Sequence, residues 1–427
     1  MSLTYFGLAL AVVWATVLPR ARGGRGESLR KAPRSAATEA VVVDLERLQA
    51  RPGRDGVARG DATFYVGNIT VGEPPQHLTV FFDTGSGHVL LPHKACKNRS
   101  CLEHHQYSPW ASSTAVDVNH DGSPVQAGSR VAQGPVNRSF ATLEFTQGDL
   151  GDGVAKGVLV RDHVCLSAGP SDHSTHQACA DLAMLAATQE DAMPFEAMPA
   201  DGIIGLGLSG LSVSALSSFY SRLMAGSHGL LPEFGMVLGS TGGQIIFGGR
   251  AAVDHFGAPL EWFPVVHAEM GFWQIEITRV RVGGVIVDRC LHGCHAIIDT
   301  GSSHLGVQAS RRDQVMRELQ FTRQSNGQCK GPDLQLDLTR GLSLAISAAD
   351  YSDAECDVRL GPLNLEEPQF AGIYSLGTNV IRRYYTAFDW AGARVGFAPN
   401  PGSPPLTSIT GISIPDSSAV PTDLVVL

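Results

Sequence analysis

The sequence predicts a mostly β protein built from two related lobes. Many short runs of β-branched and aromatic residues alternate with glycine and proline, whereas only Val213–Met224 and Ser310–Leu319 are clearly helix-like. A motif, Asp-Thr-Gly-Ser, occurs twice, each time at the end of an apolar run. Two copies with the same local pattern indicate an internal repeat. We therefore expect each lobe to contribute one Asp-bearing loop.

Composition narrows the class of protein. Of the 427 residues, 43% are hydrophobic and 17% are charged, which is typical of a globular chain of two or three domains. The net charge of −9 argues against a basic nucleic-acid-binding protein. The eight cysteines are even in number and fit four disulfides formed in an oxidising compartment.

The first 60 residues differ from the rest of the chain. Residues 6–18 form an apolar run that is too short to span a bilayer but matches a signal peptide, which we place at residues 1–19. Residues 1–60 contain ten Lys or Arg and five Asp or Glu, although the whole chain is acidic. This contrast predicts a basic, removable pro-segment at residues 20–60 held on an acidic body, although a leader with no docked role fits the charge equally well.

The remaining chain divides into two lobes and a tail. Residues 61–235 are predicted to form the first lobe, with Asp83, and residues 236–400 the second, with Asp299. Residues 401–427 are rich in Pro, Ser and Thr and are expected to be a flexible tail. No run after residue 19 is long and apolar enough to predict a membrane span.

The repeated motif suggests a pair of carboxyl groups. Asp83 and Asp299 occupy equivalent loops, so they are expected to meet between the lobes and share one proton, because adjacent like charges resist ionisation together. One would act as a general base on water and the other as an acid toward a carbonyl oxygen. Glycines would allow sharp turns, threonines would tie the loops together and serines would bond the carboxylates; these supporting residues are Thr84, Gly85, Ser86, Thr300, Gly301 and Ser302.

These motifs resemble those of the pepsin-like aspartic peptidases. The resemblance extends from about residue 64 to 399 and includes residues 65–72, 200–207, 247–249, 272–275, 376–377 and 381–389. It implies a bilobed fold with a cleft between the lobes, and an endopeptidase acting in acid on protein or peptide substrates. It also implies a zymogen inhibited by its own pro-segment, a monomer, and no cofactor or metal.

The resemblance further implies a β-hairpin flap over the cleft. Phe145, Thr146, Gln147 and Gly148 would form its tip, in a version similar to that of memapsin (β-secretase). The family's flap tyrosine is Phe145 here, and a tryptophan common after the first Asp motif is Leu90. Together these changes would replace a polar contact with an apolar one.

Cysteine pairing follows from the same resemblance. It implies the pairs Cys96–Cys101, Cys290–Cys294 and Cys329–Cys356, which leaves Cys165 with Cys179. The spacing of Cys165, His173, His176 and Cys179 would also suit zinc, and a zinc-dependent hydrolase remains an alternative, although a disulfide is favoured in a secreted chain.

Two further sets of residues stand out. His88 and His304 each lie five residues after an Asp of the pair, and we expect both to face outward rather than to tune the carboxyl groups. Asn68, Asn98 and Asn137 begin N-x-[Ser/Thr] sequons and are candidate glycosylation sites in a chain of the secretory pathway, which would end secreted or in an acidic vacuole or lysosome-like compartment.

A non-proteolytic binding protein on the same fold is the main alternative function. Such members of the family typically have a damaged Asp-Thr-Gly motif, whereas both motifs are intact here. The changes at Phe145 and Leu90 are what favour this alternative.

Overall fold

The computed structural model describes residues 40–51, 62–125, 138–145, 150–167, 178–226, 229–248, 259–320, 322–353, 355–363, 370–400 and 406–408. The predicted signal peptide, the flap residues Thr146, Gln147 and Gly148, the sequon at Asn137 and most of the tail lie outside these ranges. Among the described residues, no helix has the length and apolar character needed to cross a membrane.

The described chain is mostly β, as the sequence predicts. The first twelve strands are β1 Val41–Gln49, β2 Thr63–Val71, β3 Gln76–Asp83, β4 Val89–Pro92, β5 Val116–Val118, β6 Phe140–Phe145, β7 Gly153–Leu166, β8 Cys179–Glu190, β9 Gly202–Gly205, β10 Glu233–Leu238, β11 Gly242–Phe247 and β12 Glu261–Pro264. The next are β13 Gln274–Val282, β14 Val285–Asp288, β15 Cys294–Ile298, β16 Leu305–Gln308, β17 Thr322–Arg323, β18 Cys329–Lys330, β19 Leu334–Leu338, β20 Leu342–Ile346, β21 Leu360–Leu363, β22 Ile373–Leu376, β23 Tyr384–Asp389, β24 Arg394–Pro399 and β25 Thr407–Ser408.

Helices are short and few in this part of the chain. The α-helices are α1 Arg99–Leu102, α2 Phe219–Gly226, α3 Ala309–Glu318, α4 Ala348–Tyr351 and α5 Thr378–Ile381. Single 3₁₀ turns occur at Pro109–Ala111, Phe195–Ala197, Ser209–Leu211, Ala268–Met270 and Thr339–Gly341. The helix predicted over residues 213–224 begins only at Phe219, because serines at four positions between 212 and 218 favour turns over a helix interior.

Two large sheets dominate the fold. A fourteen-stranded sheet runs β12-β24-β23-β10-β11-β1-β2-β3-β9-β4-β8-β7-β5, with β6 paired to β7. A nine-stranded sheet runs β21-β16-β22-β15-β13-β19-β20-β25, with β14 paired to β13. Because β12, β23 and β24 join the first sheet, both halves of the chain share it, and the lobe limit predicted at residue 235 lies inside β10.

β1 lies in the interior of the shared sheet. It pairs antiparallel with β11 on one side and with β2 on the other. Val41, Val43 and Leu45 alternate inward and are at most 4% exposed. A Cβ at Gly67 would lie 2.9 Å from Val43 and 3.1 Å from Phe82, so β1 packs closely against the strand that leads to Asp83. This strand falls within the predicted pro-segment.

The two halves also share a core. Trp273 is fully buried at the start of the second half, and its Nε1 donates a hydrogen bond of 2.9 Å to the carbonyl oxygen of Leu206 in the first half. Phe234 and Phe388 stack with ring centroids 4.6 Å apart where β10 meets β23. These contacts fix the position of one Asp loop relative to the other.

Candidate active site

The two Asp loops are built in the same way. β3 ends at Asp83 and pairs in parallel with β9, which in turn pairs antiparallel with β4. β15 ends just before Asp299 and pairs in parallel with β22, which pairs antiparallel with β16. Each loop therefore connects two strands that lie on either side of a third strand. The loop crosses the end of that central strand.

Thr84 and Thr300 join the two loops by reciprocal hydrogen bonds. The Thr84 amide donates to Thr300 Oγ1 at 2.9 Å, and the Thr300 amide donates to Thr84 Oγ1 at 3.0 Å. The Thr84 hydroxyl then donates to the Ile298 carbonyl at 2.7 Å, and the Thr300 hydroxyl to the Phe82 carbonyl at 2.6 Å. Because both threonines are buried, these four bonds hold the loops in register.

Replacing Thr84 with valine tests this connection. The change leaves the Thr300 amide and the Ile298 carbonyl buried without their partner, so we expect the free energy of unfolding to fall by roughly 2–4 kcal/mol and turnover to fall with it. Thr84→Ser keeps the hydroxyl and should cost only about 1 kcal/mol for the lost methyl group. Urea unfolding of both variants measures the difference; equal losses would show that the hydroxyl bonds contribute nothing.

Glycine allows each loop to approach the opposite carboxyl group. A Cβ at Gly85 would lie 2.5 Å from Asp299 Oδ1, and a Cβ at Gly301 would lie 2.5 Å from Asp83 Oδ1. The Gly85 amide donates to Asp83 Oδ1 at 2.8 Å, and the Gly301 amide to Asp299 Oδ1 at 2.9 Å. Any larger residue at either position would push the carboxyl groups apart.

The two serines differ. The Ser302 hydroxyl donates to Asp299 Oδ2 at 2.7 Å. The Ser86 hydroxyl is buried, and among the described residues no hydrogen bond of ordinary geometry joins it to Asp83 or to another group. The repeated motif predicts a serine hydrogen bond to each carboxyl group, but in the described chain only Asp299 accepts one. The symmetry is therefore incomplete at the outer carboxylate oxygens.

Burial dominates the electrostatics of the pair. Asp83 is 8% exposed and Asp299 is 3% exposed, and their carboxyl groups are close enough to hydrogen-bond each other. Burial raises the pKa of Asp83. Burial, followed by the negative charge of Asp83, raises the pKa of Asp299. Such a pair retains a proton to higher pH than an isolated carboxyl group, so it can combine one acid and one base.

Comparison with known proteins agrees with this geometry. A family model described as eukaryotic aspartyl protease matches residues 64–147 and 146–400. The chain belongs to this family.

Among its relatives, cathepsin E of Cavia porcellus is 29% identical over 353 residues, covering 78% of this chain and 81% of the relative. Cathepsin E of Aquarana catesbeiana is 27% identical over 356 residues, covering 78% and 79% respectively. Gastricsin of Callithrix jacchus is 28% identical over 359 residues, covering 78% and 81%. The matches support an aspartic endopeptidase function at the level of the family, with peptides as the class of substrate.

The predicted flap departs from the family pattern at Phe145. This aromatic ring ends β6, is half-buried and packs edge-to-face on Phe195, with ring centroids 5.3 Å apart. Leu90 is buried in the same apolar cluster. The described end of the hairpin therefore packs on apolar side chains, and a direct contact between Phe145 and Leu90 stays a prediction.

His88 contradicts the expectation of outward-facing histidines. It is only 6% exposed, and its Nε2 accepts a hydrogen bond from the Val213 amide at 3.2 Å. Burial lowers the pKa of His88 to about 4. Its position in the loop that crosses β9 explains the burial, since a residue there is covered from both sides. His304, in the equivalent loop, is partly exposed.

All eight cysteines are paired in the structure. The disulfides are Cys96–Cys101, Cys165–Cys179, Cys290–Cys294 and Cys329–Cys356. Because Cys165 and Cys179 are bonded to each other, neither sulfur offers a thiolate to zinc, and the zinc-hydrolase alternative loses two of its four ligands. His173 and His176 lie outside the described residues.

The sequons at Asn68 and Asn98 are both accessible. Asn68 lies in β2 as predicted, yet its side chain is exposed, and Asn98 is exposed just before α1. Both remain candidate glycosylation sites.

One bridge between the halves has no counterpart in the sequence analysis. The Ser303 hydroxyl accepts from the Thr63 amide at 2.8 Å and donates to the Thr63 carbonyl at 3.0 Å. The bridge ties the start of β2 to the loop of Asp299. The only sign of this bridge in the sequence is a second serine, Ser303, directly after the second Asp-Thr-Gly-Ser motif. Nothing in the sequence identifies Thr63 as its partner.

Proposed function

We propose that this chain is an endopeptidase that hydrolyses peptide bonds of proteins in acid through Asp83 and Asp299. The observation that carries the proposal is the approach of two buried carboxyl groups on loops of equivalent construction, with each loop's glycine against the other's aspartate. An intact pair on this framework has the groups that acid–base hydrolysis of an amide requires.

In the proposed mechanism, the pair begins with one shared proton. The ionised carboxylate removes a proton from a water molecule as the water attacks the peptide carbonyl carbon. The protonated carboxyl group donates to the carbonyl oxygen, which becomes a hydroxyl of the tetrahedral intermediate. The carboxyl group that took the proton from water then gives it to the leaving nitrogen. The other carboxylate takes back a hydroxyl proton from the intermediate, so the carbonyl re-forms, the C–N bond breaks and the pair again holds one proton. The hydrogen bonds from Gly85, Gly301 and Ser302 hold the carboxyl groups in place throughout.

Cleavage of denatured globin between pH 3 and 7 tests the proposal. We expect cleavage in acid that a pepstatin-type inhibitor blocks and a metal chelator leaves unchanged. Loss of cleavage with the chelator would contradict the aspartic mechanism. A folded chain freed of its leader that cleaves nothing would favour the binding-protein alternative, and Phe145→Tyr would then test whether the altered flap is responsible.

The position of β1 revises the expected maturation. Removal of residues 20–60 would take a strand out of the interior of the shared sheet. We therefore propose that processing occurs before residue 40 and that β1 stays in the mature enzyme. Six of the ten basic residues in the first 60 precede that point, so the removable segment would keep much of its charge for binding to the acidic body.

The proposed place of action is the secretory pathway, ending outside the cell or in an acidic vacuole or lysosome-like compartment. Four disulfides and the accessible sequons at Asn68 and Asn98 support this placement. We propose that the enzyme is a monomer inhibited by its own pro-segment.

Glu190 makes the folded chain more stable in acid than at neutral pH. Burial raises the pKa of this carboxyl group from 4.5 to about 8, so the folded chain keeps a proton that the unfolded chain loses as the pH rises between these values. Stability from this group is fully present below pH 4.5 and is lost toward pH 8. Glu190→Gln should therefore raise the free energy of unfolding by on the order of 3 kcal/mol at pH 7 and change it little at pH 4.

Urea unfolding at both pH values measures this effect. Glu73→Gln, which changes an exposed glutamate, is the control and should have little effect at either pH. An equal effect of Glu190→Gln at pH 4 and pH 7 would contradict the assignment.

A further inference from the structure

The segment that follows β9 lies along the loop of Asp83. The Leu206 amide donates to the Asp83 carbonyl at 2.7 Å, and the Gly207 amide donates to the Ser86 carbonyl at 2.8 Å. Farther along, the Ser212 hydroxyl donates to the Gly87 carbonyl at 2.8 Å. These contacts join main-chain carbonyls to donors that do not titrate in acid.

His88 makes the last contact of this series and differs from the others. Its Nε2 accepts the hydrogen bond from the Val213 amide, which requires that nitrogen to carry no proton. A protonated Nε2 would instead place one N–H against another and leave the Val213 amide without its acceptor. The contact therefore exists only with the neutral imidazole.

The same segment touches the second half of the chain. The Leu208 amide donates to the Gly271 carbonyl at 2.8 Å. A Cβ at Gly210 would lie 2.2 Å from the Glu269 carbonyl oxygen, so the backbones are in close contact. Residues 208–213 are thus packed between the Asp83 loop and the 3₁₀ turn Ala268–Met270.

We propose that His88 is a positioning residue: its neutral imidazole holds residues 209–213 against the Asp83 loop, and its protonation releases this segment and lowers turnover. The effect on turnover rests on the proposed peptidase function. Release would loosen the packing between the Asp83 loop and the second half of the chain, and with it the alignment of the two carboxyl groups.

Within the described part of the chain, few ionisable side chains lie on the elements that pack around His88. β4, β9 and residues 206–218 contain no Asp, Glu, Lys, Arg or His. Asp83 begins the loop that His88 ends, and Glu269, on the turn beyond the segment, is exposed. Burial lowers the pKa of His88 to about 4, so His88 would become protonated within the acid pH range in which the proposed peptidase acts.

The test compares wild type with His88→Gln and His93→Asn. The side-chain oxygen of glutamine lies about as far from the backbone as the Nε2 atom of histidine. It can accept the same hydrogen bond, and glutamine does not titrate. His93 is the matched control: it is also buried, burial lowers its pKa to about 4, and its Nδ1 accepts from the Ala95 amide at 2.8 Å, yet it lies beyond β4 and away from the segment. Asparagine replaces that acceptor.

Hydrogen exchange of the peptide containing Val213 gives a readout independent of catalysis. After correction for intrinsic exchange rates, its protection should fall as the pH drops below about 4 in wild type and in His93→Asn, but persist in His88→Gln. Equal loss in all three chains would overturn the proposal. If His88→Gln does not fold, His88→Asn serves as the second non-titrating variant.

Turnover provides the catalytic readout. The ratio of kcat for His88→Gln to that for wild type should be near one at pH 6, about two at pH 4 and about ten at pH 3, as expected for a group with a pKa of about 4. Protonation of the carboxyl pair affects both enzymes equally and therefore cancels in this ratio. The ratio for His93→Asn should not change with pH, and a flat ratio for His88→Gln would overturn the role in turnover. If wild type cleaves no peptide, the proposed function fails, whereas the exchange experiment still decides whether His88 holds the segment.

Discussion

Asn in place of either Asp83 or Asp299 is expected to lower kcat/KM by roughly 10²–10⁴-fold while the chain stays folded. Asparagine keeps the shape of the carboxyl group and the hydrogen bonds from Gly85 or Gly301, but it provides neither a base nor a shared proton. Steady-state cleavage of a short peptide at pH 4, together with thermal unfolding, separates lost chemistry from lost structure.

Asp162→Asn is the matched control for these substitutions. Asp162 is 1% exposed and accepts hydrogen bonds from the Tyr107 and Thr114 hydroxyls, so it is a buried carboxylate outside the pair. Its replacement should affect stability much more than kcat. Equal losses of kcat in all three variants would show that the effect at Asp83 and Asp299 reflects general damage to the fold.

Removal of β1 is expected to prevent stable folding. Burial of Val41, Val43 and Leu45 stabilises the fold by about 1.5–3 kcal/mol for each side chain, which is comparable in sum to the whole stability of a typical domain. Its removal would also expose the edges of β11 and β2 to aggregation. Residues 52–61 contain a single large apolar residue, Val57, so they are poorly suited to replace the strand.

Two shortened chains measure this effect. A chain beginning at Ala40 should be folded, monomeric and active in acid, whereas a chain beginning at Ala62 should aggregate or show no cooperative unfolding. Within the intact chain, Val43→Asp should reproduce the defect and Glu46→Lys, at an exposed position of the same strand, should not. A stable, active chain beginning at Ala62 would support the original placement of the pro-segment at residues 20–60.

Local features of the chain were the most predictable from sequence. The repeated Asp-Thr-Gly-Ser motif predicted two equivalent loops because its glycines and threonines have a chemical role at fixed positions. Residues 40–45 are rich in valine, which is typical of a strand. The sequence could not show the partner of this strand, because β1 pairs with β11 about 200 residues away and a run of β-branched residues does not specify what covers it.

The contacts that the sequence did not reveal depend on distant backbone. Ser303 bonds the backbone of Thr63, whose amide and carbonyl have no side-chain signature. His88 is buried because β9 and residues 209–213 cover it, and a histidine in a polar-looking loop gives no sign of that cover. The incomplete symmetry at Ser86 likewise depends on small differences in loop geometry that two identical motifs do not encode.

The pH profile of kcat/KM for a short peptide tests the central claim most directly. Two coupled carboxyl groups sharing one proton predict a bell-shaped profile, in which activity falls on the acid side when both are protonated and on the basic side when both are ionised. Asp299→Asn should reduce activity at every pH. A mechanism based on Asp83 and Asp299 would be contradicted if the activity of folded wild type kept increasing up to neutral pH. It would also be contradicted if activity survived Asp299→Asn.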